Sequence, residues 1–316
     1  MVIEFNISTS FFLRGMVEME QLRYLYGALS FVTYLFTLLC NLMVVIVVLK
    51  EKSLHQPMYS LITSLVLDGW FSSSSFLPKL IVDLFSSSVV VSREECYIQS
   101  FCLLFAYSCE VSTFTIMAYD THLAVCHPLR YNSLITNTVA VNLIAGSHFF
   151  NLILVLIVIL LSARLPLCGF QINGIFCDNL SLYILSCVDS SINKVFGSVV
   201  FLMYLISALL VITYSYIRIF LICLRVSKDA GKKAIHTVVT HLLNFCIFLT
   251  GLLFVFIRYR LENGNLPLFI HILLSVAALV FPPLLTPLIY GIRTKALRTK
   301  LLVHLHKINK WRHPLT

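Results

Sequence analysis

Long uninterrupted apolar runs, separated by short charged and polar clusters, organise this chain. Seven runs stand out, at approximately residues 24–49, 58–85, 97–123, 139–162, 194–224, 234–257 and 266–290. Each can cross the hydrocarbon core of a bilayer as a helix, which takes about 20 residues at about 1.5 Å per residue. The runs are continuously apolar, without the alternation of a barrel strand, so helices are expected and not a β-barrel. The second run is the least apolar, because it carries Asp68, Lys79, Asp83 and the serines Ser72 to Ser75. The seventh carries Pro282, Pro283 and Pro287, which predicts a kinked or irregular inner half. The pattern as a whole predicts an all-α membrane protein built as a seven-transmembrane-helix bundle.

Composition excludes an ordinary soluble domain. Hydrophobic residues make up 59% of the 316, charged residues 12%, and the mean hydropathy is +0.92. A soluble domain carries about 25% charged residues. Lysine and arginine gather in one set of loops and ends, among them Lys50, Lys52, Arg130, Arg218, Arg225, Lys232, Lys233, Arg293 and Arg298. The positive-inside rule makes that set cytoplasmic, with the N-terminus outside and the C-terminus inside. The net charge of +9 then reflects insertion and the inner leaflet. No separate basic domain exists to bind nucleic acid.

Three regions are expected: an extracellular N-terminal tail (1–23), the seven-helix domain (24–290), and a cytoplasmic amphipathic helix with its tail (291–316). In the last, Leu297, Leu301, Leu302 and Leu305 recur at helical spacing between lysines and arginines, as a short eighth helix on the inner leaflet requires. Residues 1–23 lack a compact apolar region with a cleavage site, so the first run is expected to act as signal and anchor together. No internal repeat is visible.

Cys40, Cys102, Cys109, Cys126, Cys223 and Cys246 fall inside or at the inner ends of the runs, where cysteine behaves as a small apolar residue. Cys96, Cys168, Cys177 and Cys187 lie on the expected outer side, where disulfides persist. Four cysteines allow three pairings, and spacing does not choose among them. Two glycosylation sequons share that side, Asn6-Ile7-Ser8 and Asn179-Leu180-Ser181. Asn6 lies on a flexible tail and is the expected acceptor. Asn179 stands two residues from a cysteine and is not.

A carboxylate in lipid costs at least ~2.5 kcal/mol, so an intramembrane acid faces the bundle interior with a partner or a role. Asp68 and Glu110 are the two clear cases. Nothing marks an enzyme: there is no Gly-rich phosphate loop, no metal-spaced His/Cys cluster and no nucleophile–base pair. No cofactor or transition metal is expected, and His148 and His241 read as intrahelical polar groups.

The sharpest text in the chain is Met117-Ala118-Tyr119-Asp120-Thr121-His122-Leu123-Ala124-Val125-Cys126-His127-Pro128-Leu129-Arg130-Tyr131. It closely resembles the signature MAYDRYVAICHPLRY at the inner end of the third helix of vertebrate odorant receptors, which are rhodopsin-like G-protein-coupled receptors. The resemblance covers nearly the whole chain. Asn41 matches the polar anchor of the family's first helix, and Pro57-Met58-Tyr59 the opening of its second. Asp68 stands at its intramembrane aspartate, and Glu110 at its place ten residues before Asp120. Lys233-Ala234 with Thr237 and Thr240-His241-Leu242 resembles KAFSTCASHL, and Pro287-Leu288-Ile289-Tyr290 resembles PIIY. The text from Cys177 to Val195 is most similar to the branch common in fish, which implies water-borne ligands.

The resemblance implies a receptor that binds a small-molecule odorant, activates a stimulatory olfactory G protein and raises cAMP. It implies the plasma membrane of olfactory sensory cilia, a trafficking chaperone as a further partner, and a glycan on Asn6. It implies the pairs Cys96–Cys177 and Cys168–Cys187. Its odorant pocket projects onto Leu103, Leu104, Tyr107, Ser108, Val200, Tyr204, Leu252, Leu253 and Phe256. Arg260 at the outer end of the sixth helix is placed to pair with a carboxylate ligand. No acid lies in this part of the third helix, which argues against an amine ligand. Asp68 and Glu110 are implied to share a sodium ion, since oxygen-rich sites suit hard cations; without one, two adjacent carboxylates repel and one takes a proton.

On the inner face the implied switch residues are Asp120, Tyr216, Lys233, His241, Pro287 and Tyr290. Here the chain also departs from the family. Thr121 and His122 replace arginine and tyrosine, Leu249 replaces a tyrosine, and Thr286 replaces an asparagine. A guanidinium can reach and pair with a G protein, whereas threonine cannot; His122 offers a titratable cation instead. The competing expectation is therefore a receptor-like protein that binds ligand but couples weakly or needs a partner. A transporter would require inverted repeats and broken midplane helices, and neither is found.

Overall fold

The computed structural model describes residues 9–224, 228–258 and 268–312, with side chains described except at 228–234, 256–258, 269, 271 and 307–312. In chain order the elements are β1 (Ser10–Leu13), α1 (Arg14–Glu18), α2 (Arg23–Lys50), α3 (Pro57–Ser86), β2 (Val90–Ser92), α4 (Arg93–Cys126) and α5 (Tyr131–Leu134). There follow α6 (Asn137–Ala163), β3 (Gln171–Ile172), α7 (Asn179–Ile184), α8 (Ser191–Cys223), α9 (Lys228–Arg258), α10 (Leu268–Arg293) and α11 (Lys295–Arg312). The seven long helices α2, α3, α4, α6, α8, α9 and α10 coincide with the seven apolar runs, and α11 with the amphipathic segment.

Local chemistry sets the helix starts. Pro57 opens α3 at a position that needs no N–H donor. Ser92 and Glu95 form a reciprocal capping box at the start of α4, with both bonds at 3.2 Å. Thr136 caps α6 by accepting from the Val139 N–H at 3.3 Å.

Among the described residues, six stretches are long and apolar enough to cross a membrane: Glu20–Lys50, Arg93–Cys126, Asn137–Ala163, Ser191–Cys223, Ile235–Val255 and Ile272–Arg293. The helix α3 is not among them, and its packing gives the reason. It lies against α2, α4, α6 and α10 and turns its polar residues Asp68, Ser72, Ser73 and Asp83 inward, where they are buried. Leu67, Phe71, Val82 and Phe85 face out. Its average hydropathy is low while its outer face is as apolar as its neighbours'. The opposite limit is α2, where Leu25, Leu29, Val32, Phe36 and Leu39 are all exposed, the stripe that a lipid-facing helix presents.

The prolines of α10 do not interrupt its helix, which runs through Pro282, Pro283 and Pro287. Pro287 has no N–H to give the carbonyl of Pro283 four residues earlier. Asn41 of α2 supplies that donor, its Nδ2 lying 3.1 Å from the Pro283 carbonyl and 2.7 Å from that of Thr37. Nearby, α3 approaches α10 so closely that a Cβ on Gly69 would sit 3.2 Å from Pro283 Cα.

The N-terminal tail departs from expectation. Residues from Ser10 onward are folded over the outer face: β1 pairs antiparallel with β2 (Phe11 opposite Val91) and parallel with β3 (Leu13 opposite Ile172), in the order β2-β1-β3. Phe11, Leu13 and Met16 are buried in the outer hydrophobic cluster. Gly15 allows the close approach: its N–H donates to the Gly174 carbonyl at 3.0 Å, and any Cβ would lie 2.7 Å from that oxygen. Asn6 lies outside the described residues.

At the inner end, Leu297 of α11 is fully buried and Leu301 packs beside it, whereas Leu302 and Leu305 are exposed. Lys300 pairs with Glu51 at 2.6 Å, fixing α11 beneath the end of α2.

Candidate functional site

An apolar cavity of about 130 Å³ lies in the outer half of the bundle between α4, α8 and α9. Leu103, Leu104, Tyr107 and Ser108 line it from α4, Phe201, Tyr204 and Leu205 from α8, and Leu252 and Val255 from α9. An adjoining cavity of about 140 Å³ shares Leu104, Ser108, Phe201 and Tyr204 and reaches α6; Val200 lines this second space. Leu253 does not line the first cavity, because its neighbour Leu252 takes the inward position on α9. The side chain of Phe256, the side chain of Lys233 and all of Arg260 lie outside the described residues.

Beneath the cavity lies a polar ring closed on itself, which Tyr204 joins to the cavity lining. The Tyr204 hydroxyl donates to Asn151 Oδ1 at 2.8 Å, Asn151 Nδ2 donates to Ser112 Oγ at 2.9 Å, and the Ser112 hydroxyl bonds back to Tyr204. Three helices, α4, α6 and α8, thus meet in one ring of hydrogen bonds, with Asn151 fully buried. A satisfied ring of this kind fixes side-chain positions at the base of an otherwise apolar space.

The roof comes from the loop between α6 and α8. Phe176, Asp178, Asn179 and Leu180 all line the cavity, and none was projected from the sequence. The signal that could have found them is Cys177. Its disulfide with Cys96 (Cα–Cα 5.2 Å) ties the loop to the top of α4, and Cys168–Cys187 (Cα–Cα 5.2 Å) closes the loop upon itself. These are the two pairs that the resemblance implied. Asp178 brings an acid to the cavity from the loop, outside the part of the third helix that lacks one. Its carboxylate caps α7, accepting from the Ser181 N–H at 2.8 Å and from the Ser181 hydroxyl. Asn179 is engaged as well: its Oδ1 accepts from Ser162 at 2.6 Å and its Nδ2 donates to the Tyr183 hydroxyl at 2.7 Å. A sequon asparagine held this way is poorly presented to a glycosyltransferase.

Deeper in the bundle, Asp68 is buried and meets groups from three other positions. His148 Nε2 of α6 lies 3.0 Å from its Oδ1, and the hydroxyls of Ser64 and Thr113 lie 3.5 Å from its Oδ2. His148 is therefore an interhelical partner, which corrects its reading as an intrahelical group. Cys109 of α4 joins them: one ligand atom from each of Asp68, Cys109 and His148 lies within 4.8 Å of the others. The sequence showed no metal-spaced His/Cys cluster because these residues come from three separate helices. Glu110 is buried beside Cys109 on α4 but is not in that group. The donors gathered at Asp68 are thus nitrogen and sulfur as well as oxygen, which departs from the all-oxygen set expected for sodium.

On the inner face, Asp120 Oδ1 accepts from the Tyr131 hydroxyl of α5 at 2.9 Å. Burial, and then the Asp120 carboxylate, push the Tyr131 phenol above its ordinary range, so it stays a donor at neutral pH. Thr121 is buried and bonds to its own helix, its hydroxyl donating to the Met117 carbonyl at 2.8 Å. His122 is also buried, against Cys126 (Nδ1 to Sγ 3.3 Å) and the ring of Tyr214. Its ring is turned into the bundle and is not presented at the inner surface, contrary to expectation. His241 Nδ1 lies 3.0 Å from the Tyr290 hydroxyl, which donates to Met117 Sδ at 3.4 Å, so α9, α10 and α4 are joined through one fully buried tyrosine. His241, too, is interhelical. Thr286 donates to Asn244 Oδ1 at 3.1 Å, and Tyr216 and Leu249 pack at the edge of the inner hydrophobic cluster.

Comparison with known proteins agrees along most of the chain. The olfactory receptor family matches residues 29–307. Human olfactory receptor 52D1 is 31% identical over 304 residues, covering 95% of each chain. Human olfactory receptor 8I2 is 31% identical over 304 residues, 96% of this chain and 97% of its own. Human olfactory receptor 56A4 is 34% identical over 267 residues, 84% and 85% of the two chains.

Proposed function

Because this chain belongs to the olfactory receptor family, we propose that a small-molecule odorant occupies the cavity between α4, α8 and α9 and that its binding activates a heterotrimeric G protein on the inner face, raising cAMP. The protein is a multi-pass membrane receptor and not an enzyme. One observation carries the binding reading: the cavity is apolar over its walls, roofed by a disulfide-tethered loop, and floored by Tyr204, which Asn151 and Ser112 hold from below. Such a site takes a small, mainly apolar molecule that carries one hydrogen-bonding group for the floor.

Activation is a population shift between two helix arrangements, biased by odorant outside and G protein inside. The Met117–Tyr290–His241 junction supports this part of the reading, since it couples α4, α9 and α10 below the cavity. Asp120, Tyr216, Lys233 and Pro287 complete the proposed inner switch. The N-terminus is outside, Asn6 carries the glycan, and the plasma membrane of sensory cilia is the working location, reached with a trafficking chaperone.

A second reading is favoured by Thr121. Its hydroxyl is spent on its own helix, so the receptor binds odorant but couples weakly. A cAMP reporter assay in cells expressing the chain separates the two, with surface staining in parallel. The ligand pools are amino acids, carboxylic acids, steroids and neutral volatiles. A dose-dependent response supports full coupling. Silence at normal surface level, with odorant binding retained, supports the second reading.

A further inference from the structure

We infer that Asp68, Cys109 and His148 form an interhelical binding site for a divalent transition-metal ion of the zinc class. The three side chains come from α3, α4 and α6 and offer one carboxylate oxygen, one thiolate sulfur and one imidazole nitrogen within 4.8 Å of one another. Zinc takes this mixture of donors in tetrahedral geometry, and sodium or magnesium does not. Bond lengths of about 2.0 Å to nitrogen and oxygen and about 2.3 Å to sulfur give ligand–ligand edges of roughly 3.3–3.5 Å. Asp68 and His148 already stand at 3.0 Å, so closing the site requires a shift of about an ångström at Cys109.

The surroundings suit an ion. Asn151 Nδ2 lies 3.7 Å from Cys109 Sγ and is placed to donate to it, as partners of metal-bound sulfur do. A cleft of about 560 Å³ between α3 and α6 runs from His55 and Ser60 past Thr63 and Ser64 to Asp68 and His148. It leads to the site from the inner end of the bundle, its walls mostly apolar but set with His55, Ser60, Thr63, Ser64 and Asn137 along the way. On binding, the metal takes the place of the proton shared by His148 and Asp68 and of the thiol proton of Cys109, and both leave as solvated protons through this cleft. Asn151 also belongs to the ring under the odorant cavity, so an ion here stiffens the floor on which the odorant rests. The assignment does not depend on the odorant reading.

The test uses the full-length chain in lipid nanodiscs, titrated with Zn²⁺ and, separately, with Co²⁺ as a spectroscopic substitute. The expected result is about one ion per chain, with a thiolate-to-cobalt charge-transfer band. Cys109→Ser should abolish the band, and Cys109→Ser and His148→Gln should each weaken zinc binding by at least about tenfold. Asn151→Ala should weaken binding roughly 10- to 100-fold while the band persists. Cys126→Ser and Cys246→Ser should change neither. A cobalt adduct of the unaltered protein without the sulfur band overturns the assignment, whatever the variants do. So does zinc affinity that is the same in Cys109→Ser, His148→Gln and the parent.

Discussion

The Thr121 hydroxyl donates to the carbonyl of Met117, 2.8 Å away and one turn earlier in α4. The side chain at the position where the family carries an arginine is therefore turned inward onto its own helix. A guanidinium there would extend past the helix toward the G protein and pair with it. Thr121→Arg is expected to raise odorant-dependent cAMP several-fold at matched surface staining. An unchanged response would place the limit on coupling elsewhere, with Leu249 and Thr286 the next positions to restore.

Tyr204→Phe opens the hydrogen-bonded ring beneath the cavity and leaves the Asn151 oxygen without its donor. An unsatisfied buried acceptor costs about 1–3 kcal/mol. The expected outcome is a rightward shift of about tenfold in the odorant dose–response curve, with surface expression retained. The conservative Phe keeps the apolar wall, so a maximal response that survives at high odorant would separate loss of affinity from loss of folding.

Asn41→Ala removes the donor that serves the Pro283 carbonyl in place of the N–H that Pro287 lacks. Destabilisation of about 1–3 kcal/mol is expected, read as a lower midpoint in thermal unfolding of the purified receptor. Replacing Pro287 with alanine in the same background should restore part of the loss, because the helix then supplies its own donor. If the double variant is no more stable than Asn41→Ala, the role assigned to Asn41 is incorrect.

The loop disulfide Cys168–Cys187 spans 19 residues, and closing a loop of that size contributes about 3 kcal/mol in the chain-entropy account. The double variant Cys168→Ser/Cys187→Ser should reduce surface staining and odorant potency together, since the roof residues Phe176 to Leu180 lose their tether. Equal potency among the molecules that do reach the surface would show that Cys96–Cys177 alone holds the roof.

Glycosylation offers a direct check on the outer face. Asn6→Gln should abolish the mobility shift produced by glycosidase treatment. Asn179→Gln should leave the shift intact and instead lower odorant response, because Asn179 is bonded to Ser162 and Tyr183 in the cavity roof.

Several of these residues were legible as isolated letters and became a site only in space. Tyr107, Ser108, Tyr204 and Leu252 could be projected because the resemblance to the family carries its pocket positions onto them, and all four line the cavity. Phe176 and Leu180 could not, since they lie outside the seven apolar runs and their path depends on where Cys177 is anchored. Asp68 was marked by the cost of a charge in lipid, yet its partner His148 lies 80 residues away and no local spacing announces it. The ordered N-terminal strand was hidden for a similar reason. Four residues of β1 gain stability only by pairing with β2 and β3, and both partners are distant in sequence.

What the chain determines by itself is its solvent and its gross architecture. Seven apolar runs must become helices because every backbone polar group in lipid has to be satisfied within its own segment, and the basic residues orient them. Which side chains meet is decided by tertiary packing alone. The Tyr204–Asn151–Ser112 ring, the Asn41 bond to Pro283 and the Asp68–Cys109–His148 cluster each join helices whose rotation and depth follow from the whole bundle. A helix fixes the phase of its own residues, but only its neighbours fix which phase faces which.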